Sequence, residues 1–308
     1  MNTDGRPAAP GRPRPDVRRI AGLVAGLAIL GFLAWSIADG WSTIRAYEWD
    51  LDPLPFAAGV LVLLAFYAMS GAGFVAILGA MGPTPGRRTT MRIWAVSLLG
   101  RYVPGNVLMV VGRVVLLHER GVSRRVSLAA TVYEQALALV AGAAGGVLYL
   151  ALAGGGAATW LVAVIPLGLV LLHPRIFGPV SAWALRLAKR EPLPILIGGR
   201  RIAGLAAWYL LTAAVAGLGV WLCIRGAAGA DAGDPIEIGS AFLLSFALSM
   251  VAFIFPSGLG VREGVFAVAL AQDLPSGVAV ALAVGVRLVL TLVELVFVAA
   301  AVIMDRFR

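Results

Sequence analysis

The chain has 308 residues, 60% of them hydrophobic and only 13% charged, with a mean hydropathy of +0.91. A soluble domain of this size needs far more charge on its surface, so composition excludes a water-soluble globular protein and leaves an integral membrane protein. The net charge of +9 does not point to nucleic acid, because the basic residues fall in short loops between apolar runs rather than on one continuous face.

Residues 1–19, MNTDGRPAAPGRPRPDVRR, are rich in Pro, Gly and Arg and read as a disordered basic cytoplasmic N-terminus. The integral membrane domain follows over 20–304, with 305–308 as a cytoplasmic tail. The first apolar run, 20–38, is longer than the ~7–15-residue core of a signal peptide and reads as an uncleaved first span. Further runs long enough to cross a bilayer lie at 53–81, 126–153, 202–224 and 277–304, with a shorter one at 157–172.

Two other apolar segments, 93–117 and 238–272, are interrupted by Pro and Gly and carry charge. Their treatment decides the topology. If both enter and leave on one side, 19 of the 25 basic residues fall on the cytoplasmic side and 2 outside. If both cross fully, the division is 11 against 10, so the positive-inside rule selects the hairpin arrangement. The predicted fold is therefore an all-α polytopic membrane protein of about six transmembrane helices plus two oppositely oriented re-entrant or broken helices. Both termini are cytoplasmic, in the cell (plasma) membrane.

Opposite entry of two similar units is the mark of an inverted repeat, and transporters build midplane sites from such broken helices. The spacing agrees: Pro104 precedes Glu134 by 30 residues, and Pro256 precedes Arg287 by 31. A span over 238–256 followed by a half-helix is the alternative for the second segment. Between the two units, RIFGPVSAWALRLAKR (175–190) places Ile176, Val180, Trp183, Ala184 and Leu187 on one helical face, as an amphipathic helix on the cytoplasmic surface does.

Once loops are assigned, seven charged residues remain at membrane depth: Arg101, Arg113, Glu134, Arg262, Glu263, Arg287 and Glu294. Each costs about 2.5–3.5 kcal/mol at the bilayer centre even on the lenient insertion scale, so each needs a partner or water. Four arginines against three glutamates leave one positive charge, a composition suited to a cavity that holds an anion. We therefore read Arg101, Arg113, Arg262 and Arg287 as lipid-headgroup contacts and Glu134, Glu263 and Glu294 as their charge partners. Pro104 and Gly105, and then Pro256, Gly258 and Gly260, are the helix breaks. Backbone freed by such breaks is tolerated at depth only against protein or a watery cavity, and a helix restarting there offers N–H groups to a phosphate.

Gly142 and Gly146, four apart, read as a site of close helix packing. Cys223 is the single cysteine, and the two histidines, His118 and His173, are isolated, so no disulfide and no metal site is expected. No P-loop is present for ATP hydrolysis, and no cofactor is implied.

GRYVPGNVLMVVGR (100–113), ERGVS (119–123), Glu134, and FPSGLGVREG (255–264) with Arg287 downstream together resemble the membrane domain of the lysylphosphatidylglycerol synthase/flippase family. The similarity runs from about residue 20 to 304. It implies a polytopic domain that moves lipids between leaflets and points to Arg101, Pro104, Gly105, Arg113, Glu134, Pro256, Gly258, Gly260, Glu263 and Arg287. Leu108 stands where the family often has a bulky aromatic. Full-length synthases carry a soluble aminoacyl-transferase domain after the membrane part, and this sequence stops at Arg308, so the expectation is a stand-alone flippase-like member that is not an enzyme.

The preferred reading is a flippase or transporter moving a phosphate-bearing lipid, either a phospholipid or a polyprenyl-phosphate-linked glycolipid. The alternative is a membrane scaffold or accessory subunit of an envelope lipid or glycan biosynthesis enzyme. The implied partners are membrane lipids and envelope biosynthesis enzymes, not nucleic acid.

Overall fold

The computed structural model describes residues 35, 38, 41–102, 107–154, 172–187, 196–229, 233–251 and 260–306. Among these the chain is helical throughout: α1 (Trp41–Ala46), α2 (Pro53–Ala80), α3 (Arg87–Leu98), α4 (Val107–His118), α5 (Arg124–Leu152), α6 (Pro174–Leu187), α7 (Gly199–Ala228), α8 (Pro235–Val251), α9 (Val261–Leu270) and α10 (Ser276–Arg306). A 3₁₀ turn, Leu99–Tyr102, continues α3. Four of the described helices, α2, α5, α7 and α10, are long and apolar enough to cross a membrane. The expected spans 20–38 and 157–172 lie largely or wholly outside the described residues.

Local sequence explains the boundaries. Asp52 caps α2 by accepting the Leu54 N–H at 2.9 Å, and Pro53 and Pro55 occupy a first turn that needs no amide donors. The first broken segment begins earlier than its apolar stretch suggested. Pro83, Pro85 and Gly86 (φ +97°) hold the chain out of helix only until Arg87, so α3 takes in Arg87, Arg88 and Arg92 before the apolar part.

The stretch ERGVS is a helix stop followed by a helix start. Gly121 adopts φ +84°, the Val122 N–H donates to the Leu117 carbonyl at 3.1 Å, and the Gly121 N–H donates to the His118 carbonyl at 3.0 Å. This Schellman arrangement closes α4, and Ser123 then caps α5 by accepting the Val126 N–H at 3.3 Å.

The sequence of helices runs long, short, short, long twice, as α2–α5 and as α7–α10. The packing follows the same order in both halves. Neighbours in sequence touch, and the first and last helices of each half touch. The first short helix of each half packs on the last long helix of the other, α3 on α10 and α8 on α5. The two opening helices, α2 and α7, run antiparallel along one another. The Asp52 N–H donates to the Gly226 carbonyl at 3.0 Å near one end, and the Trp208 indole donates to the Met69 carbonyl at 2.9 Å toward the other.

Small residues set this close approach. A Cβ on Gly226 would lie 2.5 Å from the Phe56 nitrogen, and one on Gly59 would lie 2.7 Å from the Cys223 sulfur. Without a hydrophobic driving force between helices in lipid, contact of this kind has to come from van der Waals packing, which small residues permit. The spacing of Gly142 and Gly146 has the same use on α5. A Cβ on Gly142 would meet Phe246 at 3.2 Å and one on Gly146 would meet Leu244 at 2.8 Å, both on α8.

Helix α6 is held to α5 by the Phe177 ring, 4.4 Å from that of Tyr133, while Val180 and Trp183 on its apolar face stay exposed. That disposition suits a helix lying in an interface.

Candidate headgroup cavity

The seven charges left at membrane depth fall into three ion pairs and one arginine. The first pair lies deepest. Arg113 on α4 is fully buried and its Nη1 pairs with Glu134 Oε2 on α5. Its Nε donates to Ser97 Oγ at 2.9 Å, and the guanidinium lies over the Phe74 ring at 4.6 Å. The other Glu134 oxygen accepts from the Trp94 indole. Residues 94 and 97 are three apart and share one face of α3, which is how one short helix serves both members of the pair.

The second pair repeats the construction with the signs exchanged. Glu263 stands on the short helix α9 and Arg287 on the long helix α10, with Arg287 Nε 3.4 Å from Glu263 Oε1. Glu263 Oε2 also accepts the Gly260 N–H at 2.7 Å, which caps α9, and Gly260 takes φ +85° to enter the helix. In one half, therefore, the short helix carries the arginine and the long helix the glutamate; in the other half the reverse holds.

The third pair joins the halves. Arg101, on the 3₁₀ turn after α3, reaches Glu294 on α10 at 3.1 Å, and the Tyr67 hydroxyl on α2 donates to the same carboxylate oxygen at 3.0 Å. Arg287 and Glu294, two turns apart, do share a face of α10, with Leu290 between them.

Arg262 has no carboxylate partner among the described residues. Its guanidinium lies over two rings of α8, 4.5 Å from Phe242 and 5.5 Å from Phe246. Stacking of this kind offers a cation partial compensation at its faces and leaves its in-plane N–H donors for another ligand.

These groups surround a cavity of about 180 Å³. Its wall includes Tyr67 of α2, Ala138 of α5, Ala213 of α7 and Leu290 of α10, each close to the middle of its helix. The cavity therefore sits at mid-length of the four described helices that are long and apolar enough to cross a membrane. Of the residues expected to touch an anion, Arg101, Arg262 and Arg287 line this cavity.

Arg113 does not line it: the Ser97, Phe74 and Glu134 contacts place it behind the wall, in a positioning role toward Glu134, which does face the cavity. Glu263 and Glu294 likewise stand behind Arg287 and Arg101. Arg101 Nε and Arg113 Nη2 have no hydrogen-bond partner among the described residues. Pro104, Gly105, Pro256 and Gly258 lie outside those residues, while Gly260 is the N-cap just described.

The chain matches the family described as the lysylphosphatidylglycerol synthase TM region over residues 20–297. It belongs to that family. No curated protein and no solved structure matches it. The chain is thus a multi-pass membrane protein of the lysylphosphatidylglycerol synthase TM-region family, and the motifs that carried the resemblance now have structural roles. GRYVPGNVLMVVGR supplies Arg101 and Arg113, ERGVS turns α4 into α5, and VREG opens α9 with Arg262 and Glu263.

Several site residues gave no signal in the sequence of this lysylphosphatidylglycerol synthase TM-region member. Trp94, Ser97, Tyr67, Phe242 and Phe246 are ordinary residues of apolar helices until tertiary packing brings them to a charge. Gly100 is another. A Cβ there would lie 2.5 Å from the Met109 nitrogen, so glycine alone lets the 3₁₀ turn lie against α4 and direct Arg101 toward α10. Among the described residues no three His, Cys, Asp or Glu side chains gather to hold a metal ion.

Proposed function

We propose that this protein moves a phosphate-bearing lipid between the two leaflets of the cell membrane, with the headgroup passing through the mid-helix cavity. One observation carries the reading: three guanidiniums, Arg101, Arg262 and Arg287, converge on a cavity at half the length of all four span-length helices. Burying four arginines and three glutamates is a costly way to hold a helical bundle together. A ligand that draws charge to that depth accounts for the expense.

The packing supports an inverted repeat as the frame of this site. The two halves share one order of contacts, and their opening helices are antiparallel. With α3–α4 as a hairpin entered from the cytoplasm and α8–α9 as one entered from outside, the two halves have opposite orientation and both termini are cytoplasmic. The distribution of loop arginines supports the same sidedness.

In this scheme the Arg113–Glu134 and Glu263–Arg287 pairs hold each half rigid, because both partners belong to the same half. Arg101–Glu294 and Tyr67–Glu294 join the halves and are the contacts to exchange when one half rocks against the other. The reading assigns the chain no bond-making step.

The test is transbilayer movement of a fluorescent phospholipid in proteoliposomes, followed by chemical quenching of the outer leaflet. Wild-type protein accelerates movement over protein-free vesicles. Ala138→Trp fills the cavity without changing its charge and returns the rate to the protein-free value while the protein elutes as a single species. Equal rates for the two proteins would refute a path through this cavity.

A further inference from the structure

Helix α6 presents a surface that the cavity does not use. Its 14 residues reach about 21 Å, short of a hydrocarbon core of about 30 Å, so it does not cross the membrane. Its first half is pinned to the bundle. The Phe177 ring lies 4.4 Å from that of Tyr133 on α5, and a Cβ on Gly178 would lie 2.7 Å from Leu196 Cδ1. A Cβ on Gly199, the first residue of α7, would lie 3.2 Å from His173 Nε2. These contacts fix which way the helix is turned.

At about 100° per residue, Arg175, Pro179 and Arg186 fall within an arc of about 40°, and all three are exposed. Trp183 and Val180, 62% and 55% exposed, occupy the next arc, between the arginines and Phe177. The outward sector of α6 therefore runs from a cationic edge to an apolar one. Its apolar edge meets α5 at Tyr133, and Leu128 and Val132 of that span-length helix are themselves exposed, so lipid-facing surface lies beside it. Its cationic edge has company as well. Residues 173–201 hold six basic side chains against one acidic, and Arg200 and Arg201, on the first turn of α7 next to His173, are exposed.

We propose that this face of α6 docks on the membrane surface and binds the headgroups of anionic lipids there. Val180 and Trp183 enter the acyl-chain region, while Arg175 and Arg186 reach the headgroup phosphates, with Arg200 and Arg201 adding to the same cationic rim. Charge decides the occupant. A second copy of the chain would set arginine against arginine, and water would leave Trp183 and Val180 bare, whereas an anionic leaflet matches both edges at once. The surface lies apart from the cavity, and its occupancy does not depend on whether the cavity carries a lipid across.

The test places a single reactive thiol on the face. Cys223 is only 3% exposed, so in Val180→Cys the new thiol is the one a fluorophore reaches in the folded protein. The labelled full chain is held in nanodiscs of phosphatidylcholine and phosphatidylglycerol in equal amounts, with a small part of one lipid or the other carrying a nitroxide on its acyl chain. Nitroxide lipid should quench the label and aqueous iodide should not. Quenching by iodide, or by neither reagent as beneath a second protein, would overturn docking on the membrane.

The same label measures the preference for charge. Nitroxide phosphatidylglycerol should be enriched about fivefold over nitroxide phosphatidylcholine at position 180, the factor expected of one arginine near an anionic headgroup. A label at Leu61→Cys, 66% exposed on α2, should find the two lipids equal. Arg175→Gln/Arg186→Gln should lower the preference at position 180 at least about twofold while lipid still quenches the label. Equal enrichment at positions 180 and 61, or a smaller drop in the double variant, would overturn the assignment of anionic headgroups to this face.

Discussion

Replacing Arg113 by Met should destabilise the protein severely, and replacing its partner as well should restore most of the loss. Methionine keeps apolar contact with the Phe74 ring but removes the cation paired with Glu134, a residue just 5% exposed. Breaking a buried pair by deleting one member costs about 3–5 kcal/mol, because the remaining charge is left uncompensated. The lost donor to Ser97 adds about 1 kcal/mol. In Arg113→Met/Glu134→Gln the amide still accepts from Trp94, no charge is stranded, and the net buried charge stays at one positive. The double variant should lie within about 1–2 kcal/mol of wild type, since apolar or neutral replacement of a whole buried pair is often close to neutral. Reversible unfolding in mixed micelles, followed by tryptophan fluorescence, measures all three proteins on one scale. A single variant within 1 kcal/mol of wild type, or a double variant as unstable as the single, would refute the placement of Arg113 behind the wall as the partner of Glu134.

Four further substitutions, one of them a control, test the packing that positions the cavity. Gly100→Ala puts a methyl group 2.5 Å from the α4 backbone and should abolish a single-species elution profile, whereas Gly112→Ala on α4, with no atom within 4 Å of the new carbon, should leave it unchanged. Gly226→Ala, 2.5 Å from the Phe56 nitrogen, should separate α2 from α7 and cost about 1–3 kcal/mol in the same unfolding titration. Tyr67→Phe removes the hydroxyl that donates to Glu294 and should cost about 1.5–3 kcal/mol, the value of a hydrogen bond to a charged group.

Much of the site was legible because lipid is an exacting solvent. An arginine or glutamate inside an apolar run has to find a partner, and all seven such residues do gather around one region of the bundle. Of the predicted helix breaks only Gly260 falls among the described residues, where it takes φ +85° and caps α9. The role of each arginine was not legible. Arg113 and Arg262 look equivalent in sequence, yet Ser97 and Phe74 draw the first behind the wall while Phe242 and Phe246 hold the second in the cavity. Those partners lie on other helices, at positions that carry no charge and no periodic mark. The contact between α2 and α7 was similarly hidden. Gly59, Gly219 and Gly226 are unremarkable in a chain with 38 glycines until the facing helix is known. The start of α3 at Arg87 was missed because apolarity locates membrane depth, while Pro83, Pro85 and Gly86 locate the helix.

Native mass spectrometry of the gently purified protein tests most directly whether the cavity is a headgroup site. Wild-type protein should retain about one phosphodiester lipid per chain, and Ala138→Trp should retain none above the background of annular lipid. Equal retention by the two proteins, or retention only of lipids without phosphate, would contradict a headgroup held by Arg101, Arg262 and Arg287.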